Sequence, residues 1–416
     1  QLVGSRCCQP FWSNDAMEQI KKDFDNRMFL YPCEMHYITA WGHAIGLKQD
    51  EAWRLLSIMG AQELADTLPL ARYRNFQALG DQDLDFRFNL HLHTHYSDGA
   101  MTVPELLEQA KQLADARAFI NDNLPPFVLA ITDHDCVEGA QEAVHIISNE
   151  PEKYKNLRLV LGAELGAVWK APQMQSIPME YELLAYGLNP FDKDLNSFLA
   201  LHQERRVNAA IQLITLLQEA YPSVHISYKD ACQFEPLLAK NQGLGFAGRI
   251  YRYAASKLDN AMENHNLYQL THQFNHSFMP PENVDPYQDT DDIFALFQKS
   301  GFGFLGIAHP QKINVGKFLK PEFITDCQNR GLDAGYELMY QLMMALKSKG
   351  LRALEINYQF DYPDMQYAQK MLLGQVAVDE NNGSYHWIKF IADFATQYGL
   401  LKTGGYDTHK TKITAR

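Results

Sequence analysis

Leu90-His91-Leu92-His93-Thr94-His95-Tyr96-Ser97-Asp98-Gly99 is the stretch on which the reading of the fold turns. It continues an apolar run, Arg87 to His93, that ends in polar, ligand-type residues. In a strand, residues i and i+2 point to the same face, so His91 and His93 can reach one cation together. Asp98 follows in a turn, ready for a neighbouring one. A lone HxH carries little information; joined to Ser-Asp-Gly at this offset it becomes specific.

The same texture recurs along the chain. Seven β-prone apolar runs are separated by longer helical stretches: Arg87 to His93, Phe127 to Thr132, Arg158 to Glu164, Tyr181 to Tyr186, Phe302 to Ala308, Arg352 to Asn357 and Leu400 to Tyr406. That order is the pattern of β/α units around a parallel sheet. Asp133 and His134 close the second run, Glu164 the third and His309 the fifth; Glu182 lies within the fourth, and Asp407 and His409 follow the seventh. In parallel barrels the C-terminal strand ends converge on one face, so these scattered positions become one site. The expected class is therefore α/β, a TIM-like barrel domain over residues 86–416. Residues 1–85 read as an N-terminal helical segment, with Trp53, Leu55, Leu56, Ile58, Met59 and Leu64 at mostly helical spacing. More than a hundred residues separate the fourth run from the fifth, too many for one crossover, so a helical insertion is expected at about 190–290.

The bulk composition narrows the classes. With 416 residues, 46% of them apolar and 21% charged, the chain has material for one large barrel plus an appendage. Its net charge of −13 comes without a basic tail or patch, which disfavours stable nucleic-acid binding. The six cysteines form no CxxC pair and lack the density of a stapled secreted domain, and no apolar stretch approaches ~20 residues. A reducing, cytoplasmic location is expected, with no membrane contact. The chain starts at Gln1 rather than Met, which leaves room for upstream residues, a removed signal peptide among them. Nothing in the residues indicates an oligomeric state.

The series HxHTxxSDG, Ile131-Thr132-Asp133-His134-Asp135, Gly162-Ala163-Glu164, Ala308-His309-Pro310 and Asp407-Thr408-His409 resembles that of PHP (polymerase and histidinol phosphatase) domain proteins. Leu183-Leu184-Ala185-Tyr186-Gly187-Leu188-Asn189-Pro190 and Ala247-Gly248-Arg249 bring it nearest to stand-alone bacterial PHP phosphoesterases that hydrolyse nucleotide phosphates. The likeness spans about Phe86 to His409. It implies a distorted seven-stranded (β/α)7 barrel with two or three divalent metal ions. By that resemblance His91, His93, Glu164 and Asp407 would hold the first. Glu164 would bridge to a second, completed by Glu182 and His309, and Asp98, His134 and His409 would hold the third. The family usually has His where this chain has Glu182; a carboxylate there adds charge and favours a harder ion such as Mn²⁺ over Zn²⁺.

Nitrogen and oxygen ligands without cysteine suit Mn, Zn or Fe. Clustered ions lower the pKa of a shared water, making hydroxide available as the nucleophile for a phosphomonoester on a small molecule, with no catalytic side chain beyond that water. Arg249, Arg205 and Arg206 are candidate phosphate clamps, since a guanidinium fork meets two phosphate oxygens at once, and Lys312 is a further candidate. The rival readings are a nuclease using the same metals and a non-catalytic metal-binding module. Gly243 to Gly248 matches GxGxxG but follows no buried strand, and His272 with His276 has no third ligand nearby; both are set aside.

Overall fold

A computed structural model of the chain describes residues 29–30, 88–120, 127–175, 178–234, 246–258, 265–267, 288–300, 303–313, 315–358, 363–372, 376–409 and 413. Apart from 29–30, the expected N-terminal helical segment lies outside these residues.

The strands are β1 (Phe29–Leu30), β2 (Phe88–Asn89), β3 (Phe127–Ile131), β4 (Leu157–Trp169), β5 (Met179–Tyr186), β6 (Gln288–Asp289), β7 (Phe304–Ile307), β8 (Ala353–Tyr358) and β9 (Leu401–Gly405). All seven apolar runs of the sequence thus carry strands. The helices are α1 (Val103–Ile120), α2 (Glu138–Asn149), α3 (Lys193–Ala220), α4 (Tyr228–Phe234), α5 (Phe246–Ala255), α6 (Thr290–Ser300), α7 (Pro321–Asn329), α8 (Ala334–Lys349), α9 (Pro363–Leu372) and α10 (Gly383–Tyr398). Local chemistry sets their limits. Asp333 and Asn382 cap the starts of α8 and α10, and Gly350 and Gly399 end them in the left-handed conformation just before β8 and β9.

The sheet runs β2-β3-β4-β5-β7-β8-β9, with β1 and β6 on β4. Leu90 N donates to Gly404 O at 3.1 Å and Leu92 bridges Thr408, which brings the first strand of this path beside the last. Side-chain alternation shows the same curl. On β3, Phe127, Leu129 and Ile131 join the main core under the helices, while Val128 and Ala130 join a second cluster with Leu90, Val160, Leu184, Tyr186 and Ala308. Residues from strands far apart in the path share that second cluster only because the sheet bends around it. Tyr186 spans the interior, its hydroxyl donating to Leu90 O at 3.1 Å.

The strands are not all parallel. β5 pairs antiparallel with both β4 and β7, whereas β2/β3, β3/β4, β7/β8 and β8/β9 are parallel. The physical reason is the connection: residues 170–178 are too few for a helical crossover, so β4 and β5 form a hairpin and the strictly alternating β/α order fails there. A separate small core, including Leu213, Leu217, Ile250 and Tyr253, joins α3, α4 and α5. No helix among the described residues is long and apolar enough to cross a membrane.

Candidate metal centre

Glu164 lies in β4, beside the end of β3. His134 bridges Glu164 in parallel, and Asp135 N donates to Glu164 O at 2.8 Å. Its side chain is wholly buried and stands at the middle of the site. His91 Nε2 and His93 Nε2 lie 3.1 and 3.4 Å from Glu164 Oε2, and 3.5 and 3.1 Å from Asp407 Oδ1. His309 Nε2 is 3.2 Å from Glu164 Oε1 and 3.0 Å from Glu182 Oε2. His134 Nδ1 is 3.1 Å from Glu164 Oε2, and its Nε2 faces Asp98 Oδ1 at 3.6 Å, where His409 Nε2 also arrives at 3.1 Å.

Three groups of ligand atoms result, each lying within 4.8 Å of one another: His91, His93, Glu164, Asp407; His93, Asp98, His134, His409; and His134, Glu164, Glu182. Eight of the nine residues expected as metal ligands fall in these groups; His309 is in none of them and stands against Glu164 and Glu182, where His134 takes the place expected for it in the group. The groups interlock more than the motifs suggested, since His93 and His134 each face two of them.

The backbone works to achieve this. Asp135, His309 and Asp407 have φ of 49°, 28° and 47°, a region that side chains other than Gly seldom adopt, and each sits just beyond a strand end at the site. Gly405 has no room for a Cβ, because one there would overlap the His91 backbone and Cβ. The loop after His93 is stapled by Asp133, whose carboxylate accepts from Thr94 N at 2.6 Å, Thr94 Oγ1 at 2.7 Å and Ser97 Oγ at 2.6 Å. Asp133 is thus spent on hydrogen bonds, which explains why Thr and Ser accompany the histidines in the motif.

The electrostatics follow from packing so many ionisable groups out of water. Burial opposes charge on His91, but Glu164, Glu355 and Asp407 outweigh it and hold its pKa well above the ordinary value. Burial also opposes charge on His309, which Glu164 and Glu182 nevertheless raise to about 10, and on His409, which Asp98 and Asp407 raise to about 9. His93 goes the other way, lowered by burial and by His134 and His409, whose rings stack on it at 4.3 Å. Against burial, the histidines hold Glu164 and Asp407 well below the carboxylate range.

This donor set fits divalent cations. Glu164 Oε1, His134 Nδ1 and Asp98 Oδ1 are buried and meet no partner in hydrogen-bonding geometry, although nitrogen and oxygen atoms crowd them. Buried polar atoms left so are costly, and a cation between them removes the cost. Exposure rises in one direction, from 0% for the side chains of His91, His93 and Glu164 to 18% for Glu182, 22% for Asp98 and 34% for His409. That is the open side.

The candidate phosphate clamps are dispersed. Lys312, its side chain 37% exposed, reaches Asp407 Oδ2 at 3.1 Å. Arg206 in α3 is buried and paired with Asp135, which also accepts from Gly166 N at 2.9 Å. Arg205 donates to Gln288 Oε1 at 3.2 Å. Arg249 lies in α5, and its side chain falls outside the described residues. Sequence reasoning missed Glu355, a buried carboxylate against His91; its only signal was a single charge in the apolar run Ala353-Leu354-Glu355-Ile356.

No protein-family model matches the chain. Over 132 residues, 32% of its length, it is 29% identical to a 3',5'-nucleoside bisphosphate phosphatase of Chromobacterium violaceum; the match spans 38% of that protein. A solved amidohydrolase from Chromobacterium violaceum, containing sulfate and no metal, superposes with a TM-score of 0.47 at 20% identity, covering 78% of this chain and 88% of its own. With the phosphatase relative, the resemblance to PHP-type phosphoesterases carried by the motifs is borne out.

Proposed function

We propose that this chain is a metal-dependent phosphoesterase that removes a phosphoryl group from a phosphomonoester on a small molecule. The observation that carries the reading is the set of three interlocked ligand groups around Glu164. The relative's name, a nucleoside bisphosphate phosphatase, supports a nucleotide as the substrate class. The architecture proposed for it is the distorted (β/α)7 barrel over residues 86–416, with an insertion at about 190–290 and a separate segment over 1–85.

His91, His93, Glu164 and Asp407 would hold one cation, Glu164, Glu182 and His309 a second, and Asp98, His134 and His409 a third. Bound Mn, Zn or Fe ions would supply positive charge against the phosphoryl oxygens and lower the pKa of a water. The chain's own residues do the rest. His91, His93 and Glu164 form a floor closed to bulk water, where charges interact more strongly than at a surface. Asp98, Glu182 and His409 border the side from which a substrate enters. Lys312, already held by Asp407, adds a positive charge at that rim and would hold a phosphate oxygen in place. Arg206 would act from behind, fixing Asp135 next to ligand His134, while Arg205 and Arg249 complete the proposed phosphate-binding set.

Metal-stripped protein should turn over neither p-nitrophenyl phosphate nor a nucleoside 3',5'-bisphosphate, and added Mn²⁺ should restore release of inorganic phosphate. Full activity in excess chelator, or none on a panel of phosphomonoesters with Mn²⁺, Zn²⁺ and Fe²⁺ each bound, would overturn the reading.

A further inference from the structure

Glu355 is a carboxylate in the middle of β8, fully buried between Leu354 and Ile356, and it belongs to none of the three ligand groups. A carboxylate in such surroundings is tolerated only when its oxygens are occupied. Both Glu355 oxygens lie 3.1 Å from His91 Nδ1, and Oε2 also accepts the main-chain N–H of His309 at 2.8 Å. β8 runs between β7, which leads into His309, and β9, which leads into Asp407. One side chain therefore touches a residue of the first ligand group and the backbone of a residue facing Glu164 and Glu182.

We infer that Glu355 is a positioning residue that sets the ligand geometry of His91 and His309 together. The inference rests on the metal-centre reading above. An ionised carboxylate only accepts, so the His91 proton toward it sits on Nδ1. With a cation bound, Nε2 would then be the bare, ligating nitrogen on the side of Glu164 and Asp407, 3.1 and 3.5 Å away. The second oxygen contact fixes the N–H of His309, whose φ of 28° is otherwise unfavourable. Glu355 thus locks a ring tautomer on one side and a strained main-chain turn on the other, holding two ligand groups at a set separation.

Glutamine tests this because its amide keeps the shape but offers one acceptor and one donor end. With its oxygen toward His309 N–H, its NH2 faces the His91 Nδ1–H donor at the position of Oε1; turned over, the NH2 faces the His309 N–H instead. Expected for Glu355→Gln is Mn²⁺ affinity weakened ~10–100-fold in calorimetric titration of the metal-stripped full chain. Glu355→Asp, which keeps both acceptors, should recover part of the loss. A purely structural role would instead lower the melting temperature of the chelator-treated protein and leave Mn²⁺ affinity where it was. A measurement on the unaltered protein covers the case in which neither variant folds. Nitrogen-15 NMR of the Zn²⁺-loaded chain should find the His91 proton on Nδ1. A proton on Nε2, or wild-type Mn²⁺ affinity in Glu355→Gln, would overturn the proposal. Failure of the unaltered chain to bind either ion would instead remove the metal centre itself, and this proposal with it.

Discussion

Single side chains at this site shift one another's charge by close packing. With pKa values of about 10 and 9, His309 and His409 carry protons at neutral pH in the cation-free chain. A ligating imidazole is neutral, with a proton on only one ring nitrogen, so loading must expel the second proton, and apparent affinity must fall as pH falls. Titrating Mn²⁺ into a weakly buffered solution at neutral pH should acidify it, and a titration without any proton release would contradict the arrangement. The nine candidate ligands could be picked out in the sequence because ligand-type residues at the ends of apolar runs stand out, and because a known motif series gave their order. The supporting residues were not. Asp133 and Glu355 are buried polar groups whose partners, Thr94, Ser97, His91 and His309, come from other strands or loops, and no local pattern encodes such pairings.

At the scale of elements, the seven apolar runs each carry a strand, the two-residue strands β1 and β6 went unread, and the direction of β5 was misjudged. β5 was read as one more parallel strand because its apolar run looks like the others; what decides its orientation is the short link over 170–178. β4 also extends to Trp169, past the Glu164 at which its run was taken to end, since Gly166 interrupts the apolar pattern without interrupting the pairing. β9 passes close against the residues after β2. Gly405→Ala would push a methyl into His91, and overpacking of this kind costs about 1–3 kcal/mol. Denaturant unfolding of the chelator-treated variant should show that loss, accompanied by weaker Mn²⁺ binding. A variant as stable as the parent would mean that β9 can yield.

Across the whole molecule, the described residues hold a main core beneath the helices, a cluster inside the curled sheet and a small core joining α3, α4 and α5. The long interval between the fourth and fifth runs was expected to be helical, and its described residues include α3, α4 and α5. How it meets the curled sheet was not legible, because contacts such as Arg206 with Asp135 link residues far apart in sequence. The burial gradient across the metal centre has a kinetic outcome. Ions bound as proposed on the buried floor would lie behind those at the rim among the described residues, so occupants should leave in sequence. Mixing the loaded chain with excess EDTA should give a rapid loss from the Asp98, His134 and His409 group. A slower departure from the His91 and Glu164 group should follow, making the centre a last-in, first-out store.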